Sequence, residues 1–142
     1  MKNNVMISLK SIISQDGEIS ETELFTKAHY NRRNDTYTFS YEDTSATGFE
    51  GSVTTITVNG NDCASIVRTG TANSNIILEK DKKYYCHYGT PYGDFQIGIM
   101  TQFIKNNIED SGELALKYTL DLNSAYLSDN EIIVRIHNFN QN

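Results

Sequence analysis

The chain has 142 residues and a net charge of −6, a length that predicts one domain over residues 1–142 with a core of its own. Each half, 1–71 and 72–142, carries 6 basic and 9 acidic residues, so no basic arm points to nucleic acid or to an anionic membrane surface, where neutralised phosphate supplies most of the affinity. Two cysteines, Cys63 and Cys86, make no disulfide framework, the N-terminus lacks the apolar core of a signal peptide, and no apolar run reaches the about 18 residues of a membrane span; these predict a reducing cytoplasm.

Nine tyrosines and six phenylalanines beside many threonines and isoleucines favour β structure. Val5, Ile7, Leu9 and Ile13 share one face of a first strand, which Asp16-Gly17 ends in a type I′ hairpin turn. The next strand covers about 21–30, with Leu24, Ala28 and Tyr30 on one face, and the polar run Asn31 to Asp35 turns the chain. Over 35–42, Tyr37, Phe39 and Tyr41 alternate with Thr36, Thr38 and Ser40, a predicted core wall, and 43–50 reads as a loop. Strands follow at 52–58, 62–69 and 75–80, with Asn59-Gly60 read as a second two-residue hairpin turn and Asp81-Lys82 as another turn.

The stretch 84–101 holds the only proline and the densest aromatic cluster. Tyr85 and His87 share one face of a short strand against Tyr84, Cys86 and Tyr88. An irregular corner at 89–93 then leads into alternation of Phe95, Ile97, Ile99, Thr101 and Phe103. Gly98 leaves room for a close neighbour. Residues 104–111 read as a strand end and a loop. Leu114, Leu116, Tyr118, Leu120 and Leu122 form the strongest period-2 run, a turn is predicted around 128–130, and Ile132, Val134 and Ile136 complete the sheet. The predicted core is Tyr37, Phe39, Tyr41, Phe95, Ile97, Leu116, Tyr118, Leu120 and Val134.

Short turns between about ten strands predict an all-β fold, a single antiparallel up-and-down β-barrel of about 8–10 strands, because accumulated twist curls such a sheet and closure removes its edges. Tyr41-Glu42, Gly51-Ser-Val-Thr-Thr, Arg68-Thr-Gly70, Tyr88-Gly-Thr-Pro-Tyr-Gly93 with Thr101, Gly112-Glu-Leu and Lys117-Tyr-Thr-Leu120 resemble the DUF1934, or YwiB-like, family of small bacterial proteins over nearly the whole chain. That resemblance implies a calycin barrel, similar to lipocalins and fatty-acid-binding proteins, in a bacterial cytoplasm. It implies no activity and no catalytic residues.

The residues themselves show no nucleophile elbow, phosphate loop or paired metal motif. His29, His87 and His137 lack metal-ligand spacing, and Cys86 and His87 point to opposite faces of a strand, so neither a metal nor a cofactor is expected. Arg68, at a strand end, could clamp a carboxylate or phosphate, or pair internally with Glu42 or Glu79. The leading reading is a non-catalytic module binding a small amphipathic or anionic ligand in the barrel interior or mouth through Tyr37, Tyr41, Arg68, Tyr85, His87 and Tyr92. The alternative is an interaction protein, a homodimer among the options, with a filled barrel and an exposed apolar patch; catalysis ranks third.

Overall fold

The structure, a computed structural model, describes residues 2–71, 73–90 and 93–137, without the side chains of 2–3 and 86–94. Its strands are Lys2–Gln15 (β1), Glu18–Arg33 (β2), Thr36–Glu42 (β3), Ser52–Asn59 (β4), Cys63–Gly70 (β5), Ser74–Glu79 (β6), Lys83–Thr90 (β7), Gly93–Asn107 (β8), Glu113–Leu122 (β9) and Ala125–His137 (β10). One helical turn, Ile108–Ser111 (α1), stands between β8 and β9. All ten strands lie in one antiparallel sheet ordered β6-β5-β4-β3-β2-β1-β10-β9-β8-β7. Chain neighbours pair throughout except β6 with β7, and β1 closes against β10, with Met6 opposite His137 and Ser14 opposite Asp129. The result is the expected all-β barrel, nearly closed, with its one seam between β6 and β7.

Alternation explains the core. Ile7 and Leu9 of β1, Tyr37, Phe39 and Tyr41 of β3, Ile56 and Val58 of β4, Leu114 and Leu116 of β9 and Val134 of β10 are buried in one apolar cluster. Each of the larger ones contributes about 1.5–3 kcal/mol by leaving water. Six of the nine predicted core residues are buried; Ile97 and Leu120 are half-buried against the cluster, and Phe95 is half-buried. No helix among the described residues is long and apolar enough to cross a membrane.

Several local expectations are corrected. Asp16 and Gly17 do form the positive-φ turn, at 52° and 79°. Asn59, however, stays in β4 opposite Cys63, so the loop is Gly60-Asn61-Asp62, with Gly60 alone of the three at positive φ. The last turn is at Asn123-Ser124, both at positive φ, and Ser128 and Asn130 lie in β10, buried, with the Asn130 amide donating to Ser128 Oγ at 2.9 Å. In β8 a register shift between Thr101 and Phe103 moves the inward face by one residue, so Ile104 is buried where Phe103 was expected. The strand then runs to Asn107, and α1, which buries Ile108, ends on Gly112 in the left-handed region. Ile13 is exposed, because the β1–β2 hairpin runs on past the apolar cluster.

Candidate functional site

Position 43 continues the inward parity of Tyr37, Phe39 and Tyr41, and it places an aspartate where β3 leaves the core. Asp43 has a fully buried side chain. Its Oδ2 accepts from Thr54 Oγ1 at 2.6 Å and from Arg68 Nε at 3.3 Å, and its Oδ1 accepts from Thr47 Oγ1 at 3.0 Å. Arg68 Nε is also 3.0 Å from Thr54 Oγ1, so guanidinium, hydroxyl and carboxylate form one chain of hydrogen bonds. Adjacent strands supply it, since Thr54 of β4 is opposite both Tyr41 of β3 and Arg68 of β5. Phe49, from the loop over this end, stacks on the guanidinium with Cζ 3.8 Å from the ring centre. Burial first and the Asp43 charge second push the Tyr41 phenol up to about 12.

The predicted ligand residues are only partly brought together. Tyr41 and Arg68 meet at this end, but the arginine is paired inside by Asp43. Neither Glu42, which is exposed, nor Glu79, which accepts from Tyr84 OH and pairs with Lys82 at 2.9 Å, is its partner. Tyr37 lies four residues along β3 from Tyr41, about 13 Å at strand rise, under Arg32, which reaches Glu109 of α1 at 3.6 Å. Tyr85 is on the outer face, 54% exposed, with Lys83 beside its ring. The side chain of His87, and all of Tyr92, lie outside the described residues. Asp43 and Phe49 were missed because 43–50 reads as a polar loop; the unbroken parity from Tyr37 to position 43 was the available signal.

A second feature adjoins this end. The β2–β3 ladder stops at His29 opposite Ser40, although β3 runs on to Glu42 beside β4, so the two strands diverge there. Among the described residues, no strand pairs 18–28 of β2 on the β3 side, although β1 pairs them on the other. In the fork lies an open cleft of about 490 Å³ lined by Lys27, His29, Ser40, Tyr41, Glu42 and Val53 among others. Gly98 meets its expectation on the opposite wall: a Cβ there would stand 2.5 Å from Asp121, whose carboxylate holds Lys83 at 2.6 Å. Among the described residues, no group of three His, Cys, Asp or Glu side chains could hold a metal ion.

Comparison with known proteins returns a family and a fold. Residues 7–134 match the model of a domain of unknown function, DUF1934. The crystal structure of ywiB protein from Bacillus subtilis superposes with a TM-score of 0.71 at 16% identity, over 95% of this chain and 92% of that one. No curated protein matches.

Proposed function

Because the chain belongs to the DUF1934 family, whose description assigns no activity, we propose from the geometry alone that the barrel is a non-catalytic interaction module, docking a partner along the free edge of β2. One observation carries this reading: among the described residues no strand pairs 18–28 on one side, while Ile19 and Phe25 within them are 72% and 61% exposed. An unpaired edge is a template for a further strand, and strand addition at an exposed sheet edge is a recurring mode of partner recognition. The interior supports the same reading, since its buried apolar side chains form one cluster and Arg68 is already paired by Asp43. Cys63 is unpaired, which suits a reducing cytoplasm.

The fork cleft favours a second reading, a small anionic or amphipathic ligand between Lys27 and His29 on one wall and Tyr41 and Glu42 on the other. Hydrogen exchange and native mass spectrometry separate the two. Docking on the edge expects backbone amides in 18–28 that exchange fast in the dilute purified protein and slow down in concentrated host extract. A small molecule retained on the purified protein, with no change of exchange at 18–28 in extract, would overturn it in favour of the cleft.

A further inference from the structure

We propose that the edge takes a second copy of this chain, the two β2 strands pairing antiparallel about a twofold axis through Phe25; this rests on the edge-docking reading above. Register follows from side-chain chemistry. The outer face of β2 runs Glu21, Glu23, Phe25, Lys27, His29, acidic on one side of the phenylalanine and basic on the other, so the row is complementary to itself reversed. With the axis at Phe25, Glu23 of each copy lies opposite Lys27 of the other, and the two phenylalanine rings face across the axis. Opposite charges and aromatic pairs at directly opposed positions are the pairings that stabilise an antiparallel ladder. On the inner face, Leu24 meets Thr26 and Thr22 meets Ala28, all within the unpaired stretch.

Registers with the axis nearer the N-terminal end of β2 are worse. An axis at Thr22 sets Glu21 against Glu23, and one at Glu23 sets that carboxylate against its own copy, both penalised by like charge. An axis at Leu24 would set Lys27 against Glu21, which Lys10 already holds at 3.4 Å, and would leave Glu23 against Phe25. Among the described residues, neither Glu23 nor Lys27 has an ion-pair partner within the chain, whereas Glu21 does. Phe25 is held for this use by His137, which meets its ring edge-on at 4.7 Å between centroids.

Two copies of a chain at −6 repel, so local complementarity must overcome the global charge, and charge exchange exposes that. Sedimentation equilibrium of the full chain at micromolar concentration should show a dimer for wild type. Glu23→Lys and Lys27→Glu should each weaken it by roughly tenfold or more, and the double variant Glu23→Lys/Lys27→Glu should restore it. Glu23→Lys lowers the net negative charge, so weakening there cannot come from overall repulsion. The proposal fails if wild type is monomeric, if the single variants dimerise as wild type does, or if the folded double variant stays monomeric. A monomer whose 18–28 amides still become protected in host extract rejects the self-pairing and keeps edge docking with another partner. A monomer with no such protection rejects both.

Discussion

Arg68→Ala tests whether the buried cluster at the β3 end is structural. The substitution leaves Asp43, whose side chain is fully buried, with only the hydroxyl donors of Thr54 at 2.6 Å and Thr47 at 3.0 Å. Removing one partner of a buried ion pair costs about 3–5 kcal/mol. Two surviving hydrogen bonds and the 18% exposure of the Arg68 side chain pull the electrostatic loss towards about 3 kcal/mol, and the lost stacking on Phe49 adds about 0.5–2 kcal/mol. A total of roughly 3–5 kcal/mol is a large share of the 5–15 kcal/mol by which a typical domain is stable. Urea unfolding followed by far-UV circular dichroism should therefore show a much lower midpoint with an unchanged slope. Adding Asp43→Asn to Arg68→Ala removes the stranded charge and should recover about 1–2 kcal/mol. A loss below about 1 kcal/mol, or a double variant no more stable than Arg68→Ala, would refute the internal pairing and return the arginine to the ligand-binding reading.

Two further outcomes follow from burial. The Tyr41 phenol keeps its proton up to about 12 in the folded chain but would lose it near 10 when unfolded. Its contribution is thus intact below pH 10 and disappears as pH rises through 12; the difference corresponds to about 2.7 kcal/mol. Urea midpoints measured across that window should fall in wild type and fall less in Tyr41→Phe, and parallel curves would contradict the assignment. Leu116 is fully buried and Leu120 only half-buried, so Leu116→Ala should cost about 3–5 kcal/mol and Leu120→Ala less than about 2 kcal/mol. Equal losses in urea unfolding would show the depth ordering along β9 to be wrong.

Most of the barrel was legible because a half-buried strand writes its two faces into alternate residues, as β3 and β9 do. What was not legible is what interrupts that period. The register shift at Thr101 and Phe103 inverts the face without any glycine or proline to announce it, and Asn123-Ser124 makes a positive-φ turn without the glycine that usually marks one. The turn at Asp81 was legible, but turn chemistry says where a chain reverses, not whether the strands on either side hydrogen-bond, so the β6–β7 seam could not be read. At the site, Tyr41 and Arg68 were found because both sit on clear strands. Asp43 was missed because its neighbours Glu42 and Thr44 to Gly48 look like solvated loop, and Tyr85 was assigned the wrong side although Lys83 and His87, which share its parity, mark that face of β7 as the polar one.

Closing the ring through β1 and β10 also sets the order of assembly. Eight of the ladders join strands adjacent in the chain, whereas the ninth opposes Met6 to His137, residues separated by almost the whole polypeptide. Hairpins such as β1–β2 and β9–β10 need only local loops and form in microseconds, but the last ladder must recover the entropy of closing the longest loop the chain can make. On loop-closure grounds the β1–β10 ladder is expected to form after the eight local ones, and φ-values lower along it than in the β1–β2 and β9–β10 hairpins would check this. Since β6 and β7 do not pair, no ladder among the described residues other than β1–β10 joins the strands β1 to β6 to the strands β7 to β10.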